Sequence, residues 1–356
     1  MASDISIRGV RIVGGVVLSY SRIDRSHRKQ NNVPSLIRVA AAILFGSLLI
    51  VSTPVKADTY PSKPVRIIVP YGAGGIADVT MRLVADDLSK RFGQQFFIDN
   101  RPGAGGIVGM QAAKEAGADG YTLVMLGGGL TIAKALFKSL PYDIETDFIP
   151  ISTTASYGLV IATKAGASYK SIKDVMAAAR ARPGTLNFGT INAGSGQNLS
   201  AELFRNMAGI DVTIIPYKTT PDLANAVLRG DVDVAFEYFA GFQSQITNAQ
   251  MTVLATTGHE RARNLPQVPT VSESGVSGYE VTSWNGLAVP KGTPREIVTS
   301  LNQAVVEALK SAAVQKFSHE AGMDARGMSS EDLHARIKSD VAKWSQVIEK
   351  TGIQKR

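Results

Sequence analysis

The sequence predicts an α/β protein with two lobes of mostly parallel sheet, and two observations carry this prediction. From Lys63 onward, short β-rich runs alternate with helical stretches, and the alternation restarts near Tyr157. From about Pro294 onward, the pattern instead predicts three helices and no further strand. Because such helices must cover an apolar sheet, we expect them to pack back on the first lobe, which makes that lobe discontinuous.

The first lobe begins with an apolar strand at 65–70 (VRIIVP), followed by a Gly-rich turn and a helix over about 77–92. Apolar residues recur on one face of that helix. A strand at 96–100, a helix ending near 116 and a strand at 121–126 follow. This β-α-β-α-β order predicts a mostly parallel sheet with helices on both faces.

The second lobe repeats the same alternation, with helices at 171–181, 198–208 and 221–228. Its strands are predicted at 159–162, 186–189, 212–216, 232–236 and 252–256. A further strand at 287–289 precedes the last helices, at about 294–310, 312–321 and 330–351. We therefore assign 58–157 with 282–356 to lobe I and 158–281 to lobe II, joined by a two-strand hinge near Tyr157 and Val281.

Residues 1–57 read as an N-terminal leader that contains a signal peptide. Arg38 ends a basic region, a 13-residue apolar run follows at 39–51, and Val55 and Ala57 supply small residues for cleavage after Ala57. Thirteen residues are too few to cross roughly 30 Å of hydrocarbon as a helix. The mature protein is therefore expected in the periplasm. Because the basic region is unusually long, a translation start near Val33 is an alternative to a start at Met1.

Most of the net positive charge of the chain lies in that leader. The whole sequence has a net charge of +8, but 1–57 holds eight Lys/Arg and two Asp, so the remainder carries 30 basic and 28 acidic side chains. A net charge of +2 gives little support to a nucleic-acid partner. The absence of cysteine excludes disulfides, thiolate metal sites and a lipid anchor on cysteine. We expect a soluble monomer without metal or cofactor.

Gly-rich and hydroxyl-rich loops stand where the predicted strands lead into helices. Ligands of open parallel sheets bind beyond the carboxyl ends of the strands, and free N–H groups at helix starts favour anions. Glycines also let the backbone approach a ligand closely. The candidate ligand-binding residues are Tyr71, Gly72, Ala73, Gly74, Gly75, Asp78, Gly127, Gly128, Ser195, Gly196, Gln197, Asn198, Lys218, Thr219, Thr220 and Glu237.

Alternative interpretations remain for several of these residues. Each glycine loop taken alone is typical of a tight turn. Asp78 fits a first-turn helix acid as well as a general base, and Glu237 fits a carboxylate in the cleft. Trp284 could stack on a ligand or pack in the hinge. The sequence meets neither GxGxxG, GxxxxGK[ST] nor GxSxG, and its four histidines lack metal-ligand spacing.

These motifs, in this order, resemble the Bug family, the TctC-like periplasmic receptors of tripartite tricarboxylate transporters. The similarity runs from about Tyr60 to Ile353. It rests on YPSKPVRIIVPYGAGGIAD, NRPGAGG, DGYTL, LPYD, ARPGTLNFG, PYK, GDVDVAFE, LPQVPTVSESGVSGYEVTSWNGLAVPKGTP and WSQVIEKTGI.

The resemblance implies a type II periplasmic-binding fold that closes on its ligand. It also implies that the loop 71–78 receives one carboxylate of the ligand and that lobe II contacts the rest. Three features depart from the family pattern: Asn198 replaces a common His, Thr219 and Thr220 replace Gly-Gly, and Glu237 replaces Asp. We therefore expect a ligand whose far end is small, polar or aromatic, and not a tricarboxylate.

Three functions fit these predictions. The first is a transport receptor that delivers a small organic carboxylate to membrane permease subunits. The second is a sensory binding protein that presents its ligand to a signalling partner. The third is a periplasmic enzyme on the same fold, against which stands the lack of a paired acid and base or of an activated nucleophile.

Overall fold

The computed structural model describes residues 60–355, in which nine strands alternate with ten helices. The predicted signal peptide and its cleavage after Ala57 lie outside these residues. The strands are β1 Val65–Val69, β2 Phe96–Asn100, β3 Thr122–Gly127, β4 Phe148–Lys164, β5 Asn187–Ile191, β6 Thr213–Tyr217, β7 Val234–Tyr238, β8 Met251–Thr256 and β9 Thr282–Pro290.

Eight of the ten helices were predicted from the sequence, those at Gly128–Leu136 and Phe239–Thr247 were not, and the α/β fold class is confirmed. A single 3₁₀ turn at Ala104–Gly106 precedes the second helix. The helices are α1 Ile76–Phe92, α2 Ile107–Lys114, α3 Gly128–Leu136, α4 Ile172–Ala181, α5 Gly196–Ala208, α6 Thr220–Arg229, α7 Phe239–Thr247, α8 Arg295–Ala308, α9 Ala312–Glu320 and α10 Ser330–Thr351.

The strands form one continuous sheet in the order β2-β1-β3-β9-β4-β7-β5-β6, and β8 pairs with β4. Pairing is parallel where β1 meets β2 and β3, and where β5 meets β6 and β7. Each antiparallel pairing involves β4 or β9. Two groups of parallel strands therefore flank a central antiparallel pair.

Strand β4 runs through both groups. Its first part pairs with β9 as far as Gly158, opposite Thr282, and its last residues pair with β7 and β8 from Leu159 or Val160 onward. The sequence predicted only 159–162 as strand, because the preceding ISTTASY is polar. Ser152 and Thr153 are nevertheless fully buried, since their hydroxyls bond the backbone of Met328 and Arg326.

The last three helices do not all cover the same core. Val298 and Leu301 of α8 pack with the β1 side chains, as expected. In α10, Leu333 belongs to a cluster with β3 side chains, whereas Trp344 belongs to the cluster that contains much of the 158–281 segment. Helix α10 thus joins two hydrophobic cores.

Candidate ligand-binding cleft

A cavity of about 320 Å³ lies where β1 and β3 end, beside the paired strands β4 and β9 and the start of α7. None of the described residues that line it is charged. Its polar lining consists of side-chain hydroxyl and amide groups, which belong to Tyr71, Tyr157, Tyr238, Ser283 and Asn285. The cavity is therefore suited to binding through hydrogen bonds from neutral donors.

The loop before α1 is held in place by Asp78. The carboxylate of Asp78 accepts hydrogen bonds of 2.9 Å from the backbone N–H of Gly74, from Arg82 Nε and from Asn100 Nδ2. Asn100 also donates to the carbonyl of Tyr71 at 3.1 Å. Gly74 has φ +82°, which favours glycine. Asp78, an acid in the first turn of α1, therefore holds the preceding loop in place through these hydrogen bonds.

These contacts also set the ionisation of Asp78. Burial raises the pKa of its carboxyl, but the hydrogen bonds from Arg82, Gly74 and Asn100 and the charge of Arg82 outweigh burial, so the pKa lies below its usual value. Asp78 is 2% exposed. A charged, buried and fully hydrogen-bonded carboxylate is a structural anchor and a poor general base.

The loop before α5 repeats the same local structure. The backbone N–H of Gly194, at φ +80°, donates to Asn198 Oδ1 at 2.9 Å. Ser195 caps the helix by accepting from the N–H of Asn198 at 3.1 Å. Its backbone angles, φ −74° and ψ 165°, equal those of Gly75 before α1. The loops 72–78 and 192–198, which contain nine of the predicted ligand-binding residues, therefore enter their helices in the same way.

The start of α3 packs closely against β9. A Cβ at Gly128 would lie 2.9 Å from Ser283 Oγ, and one at Gly127 would lie 3.4 Å from Asn285 Oδ1. The N-terminus of α3 therefore reaches the cavity wall, where its first N–H groups have no partner within the helix. The sequence predicted this glycine run as a loop that follows the third strand. The structure shows a helix, since Gly128 starts α3.

Three tyrosines surround the polar end of the cavity. The rings of Tyr157 and Tyr238 meet edge to face at 5.3 Å, and Tyr157 donates to Asn285 Oδ1 at 3.3 Å. Burial raises the pKa of Tyr71, Tyr157 and Tyr238, and neighbouring phenols raise those of Tyr71 and Tyr238 further. All three hydroxyls therefore keep their protons at any physiological pH and can donate them in hydrogen bonds.

Glu237 is buried beside the cavity and does not line it. Its Oε1 accepts from Gln197 Nε2 at 2.8 Å and from the N–H of Tyr238 at 2.7 Å, and its Oε2 accepts from Thr220 Oγ1 at 2.9 Å. A Cβ at Gly241 would lie 2.8 Å from Glu237 Cγ. Two of the family departures, Thr220 and Glu237, therefore touch each other and hold the starts of α5, α6 and α7 together.

The other candidate residues near Glu237 do not line the cavity. Lys218 and Thr219 are exposed, and Thr219 caps α6 through the N–H of Asp222. Gly196 lies next to Tyr238, since a Cβ there would be 2.9 Å from the tyrosine oxygen. Of the sixteen candidates, Tyr71 and Gly128 line the cavity directly. A direct role of the others in ligand binding stays a prediction.

Trp284 packs in the core and does not face the cavity. It is fully buried and donates from Nε1 to Asp340 Oδ2 at 2.8 Å. Two histidines, His259 and His319, line a neighbouring cavity of about 300 Å³ together with several arginines. Within residues 60–355, no group of three or more His, Cys, Asp or Glu side chains is arranged to hold a metal ion.

Comparison with known proteins decides the family. The family model described as Tripartite tricarboxylate transporter family receptor, TctC, matches residues 80–353. The chain belongs to this family. The resemblance that the motifs indicated is therefore confirmed.

Relatives of this TctC receptor include proteins with bound carboxylates. Protein BugT of Bordetella pertussis is 32% identical over 89% of this chain and 98% of its own. Rpa4515 of R. palustris, solved with adipate, is 33% identical with a TM-score of 0.69 and covers 83% of this chain and 99% of its own. MatC from Rhodopseudomonas palustris, solved with bound malate, is 27% identical with a TM-score of 0.65 over 81% of this chain and 100% of its own.

Sequence reasoning missed several residues that line the cavity of this TctC receptor. Tyr157, Ser283 and Asn285 lie on β4 and β9 at the point where these strands pair, and Tyr157 stands opposite Ser283. Tyr238 directly follows the predicted Glu237 at the end of β7. The signal that could have found them is the position of polar residues at the predicted hinge. No helix among the described residues is both long and apolar enough to cross a membrane.

Proposed function

We propose that this protein is a periplasmic solute-binding receptor that captures a small organic carboxylate and delivers it to the permease subunits of a tripartite tricarboxylate-type transporter. The observation that supports this most strongly is the uncharged cavity lined by tyrosine, serine and asparagine side chains. The N-termini of α1 and α3 reach the same cavity, through Ile76, Ala77, Gly128 and Gly129. Helix N-termini and neutral donors together stabilise an anion without a paired cation.

The proposal includes a closing motion of two lobes, 58–157 with 282–356 and 158–281. The β4 and β9 strands would act as the hinge, since their pairing ends at Gly158 and Thr282, next to the cavity. Closure would bring the loop at 192–198, and Glu237 with its partners Gln197 and Thr220, towards the ligand. In this proposal the receptor is a monomer without cofactor, exported by its signal peptide and cleaved after Ala57.

The test compares carboxylic acids with their methyl esters, which lose the negative charge and gain one methyl group. Thermal unfolding of the purified protein would be followed with adipate, malate, citrate and benzoate and with the corresponding esters. A ligand at 100 times its Kd stabilises a protein by about 2.7 kcal/mol, which gives a measurable rise in Tm. We expect stabilisation by at least one acid and none by its ester. Equal stabilisation by acid and ester would contradict a carboxylate receptor.

Mass spectrometry of the small molecule that co-purifies with the protein identifies the natural ligand. A co-purified carboxylate would support the proposal, and a co-purified molecule without a carboxylate would contradict it. Delivery is tested separately by uptake of that labelled ligand into cells with and without the receptor. Uptake that does not depend on the receptor would contradict the transport role.

A further inference from the structure

The residues that line the cavity divide into a polar set, here called the polar end, and an apolar set, here called the apolar end. The polar end is formed by the hydroxyls of Tyr71, Tyr157 and Ser283 together with the start of α3. The apolar lining consists of side chains from the first turns of α1 and α7 and from the turn after α9, and comprises Ile76, Ala77, Phe239, Ala240, Ala321 and Met323. A ligand that fills this cavity would therefore place a charged group at one end and a non-polar body at the other.

At the polar end, the hydroxyl of Tyr71 is available to donate a hydrogen bond to a ligand. Within residues 60–355, the hydroxyl of Tyr71 makes no hydrogen bond, although its backbone carbonyl accepts from Asn100. This hydroxyl lies at the start of α3, since a Cβ at Gly127 would be 3.5 Å from it and one at Gly129 would be 3.9 Å from it. A carboxylate here would accept from Tyr71 and from the first N–H groups of α3.

The apolar end offers no charge for a second carboxylate. Three arginines line the neighbouring cavity and each is paired with an acid: Arg263 and Arg326 lie 3.5 Å from Asp324, and Arg261 lies 2.8 Å from Glu273. The two cavities adjoin, since Phe239 and Met323 are among the residues that line both of them. A second carboxylate among these apolar side chains would lose its hydration without gaining a cationic or hydroxyl side chain as a partner.

Ile76 adds a second indication of an apolar ligand. It lines the cavity and is 39% exposed, so a ligand that fills the cavity can cover its side chain. The cavity volume of about 320 Å³ is at the lower end for ligand sites, which hold about 300–1,000 Å³. A compact ring or short aliphatic chain would cover Ile76 and fill this space.

We propose that the ligand of this receptor is a monocarboxylate with a compact apolar body, such as an aromatic or short aliphatic acid, and not a di- or tricarboxylate. This inference rests on the proposed function and specifies its ligand class. It departs from the bound ligands of Rpa4515 and MatC, adipate and malate.

Matched pairs of acids test the inference, because each pair differs by one carboxylate. Isothermal titration of the purified protein would compare hexanoate with adipate and benzoate with terephthalate. We expect the monoacid of each pair to bind about tenfold more tightly or better, since the second charge meets apolar side chains. Tighter or equal binding of adipate and terephthalate would overturn the proposal, and so would failure of all four acids to bind.

A variant with a cation at the apolar end provides an independent readout. Ala321→Lys places an ammonium group at the turn after α9, where it lines the cavity, and should raise the affinity for adipate relative to hexanoate about tenfold. The matched control Ala313→Lys adds the same charge on an exposed face of α9 and should leave the ratio unchanged. An unchanged ratio in Ala321→Lys would overturn the assignment of the apolar end.

The identity of the co-purified molecule separates the two proposals. A bound molecule with two or more carboxylates would overturn the ligand class and leave the carboxylate receptor intact. A bound molecule without any carboxylate would overturn the proposed function itself.

Discussion

Asp78 accepts a hydrogen bond of 2.9 Å from the backbone N–H of Gly74, four residues earlier. Gly194 and Asn198 repeat this bond with the same length and the same spacing before α5. Two loops that the chain uses to enter helices from opposite ends of the sheet are thus braced in the same way. One uses a carboxylate and the other an amide, so charge is not essential for the brace itself.

We expect Asp78→Ala to destabilise the protein by about 1–3 kcal/mol, because the N–H of Gly74 and the amide of Asn100 lose a buried acceptor. Asp78→Asn should cost less, since its amide oxygen can still accept from Gly74 as Asn198 does from Gly194. Urea unfolding of both variants measures the difference. Equal losses would show that the charge, and not the hydrogen bond, supports the loop.

The depressed pKa of Asp78 predicts a pH dependence. A carboxyl whose pKa is lower in the folded state stabilises the protein above its unfolded pKa of about 3.9, and this contribution is lost as the pH falls through the folded pKa. The wild-type protein should therefore lose stability below about pH 4 more steeply than Asp78→Asn. Tm measured from pH 7 to pH 2 checks this, and parallel curves for the two proteins would contradict it.

Thr220 and Glu237 should be energetically coupled through their 2.9 Å hydrogen bond. Unfolding of Thr220→Val, Glu237→Gln and the double variant forms a double-mutant cycle, for which we expect a coupling energy of about 0.5–1.5 kcal/mol. Thr219→Val with Glu237→Gln is the matched control, since Thr219 bonds Asp222 instead. Coupling as large in the control cycle would argue against a specific contact.

Gly128 should not tolerate a side chain. A Cβ there lies 2.9 Å from Ser283 Oγ, so Gly128→Ala should push α3 from β9, with a cost of about 1–3 kcal/mol. Gly129→Ala in the same helix is the control, because its Cβ meets only the Tyr71 oxygen, at an ordinary 3.9 Å. Denaturant unfolding compares the two variants, and equal stability would contradict the close packing.

Lobe closure predicts a change in overall dimensions. Small-angle scattering of the purified protein should give a smaller radius of gyration with saturating ligand than without it. Ligand saturation would be confirmed by titration on the same sample. An unchanged radius at saturation would argue against a closing hinge between the proposed lobes.

The order of strands and helices could largely be predicted from the sequence, because apolar periodicity and Gly-rich turns mark most elements. Helix α3 was missed since it begins with two glycines, which are poor helix formers. The long first part of β4 was missed because Thr153 and Thr154 are buried by contacts that local pattern does not reveal. The family resemblance supplied the fold type and the receptor function, which periodicity does not.

The candidate site was predicted less completely. Loops at the ends of parallel strands led to Tyr71 and Gly128, since ligands bind there as a rule. Tyr157, Ser283 and Asn285 lie on the antiparallel pair β4–β9, whose meeting depends on contacts between residues more than 100 positions apart. Asp78 and Glu237 accept hydrogen bonds from neighbouring loops and helix starts, and their direct contact with a ligand stays a prediction.

Helix α10 has a consequence for the order in which this protein is made. Leu333 near its start completes one hydrophobic core, and Trp344 near its end completes another. Neither of these two cores is complete until α10, the last helix of the chain, has been synthesised. Two other hydrophobic clusters, which contain side chains of β1 and of α6, include no residue of α10 and can form before this helix is made.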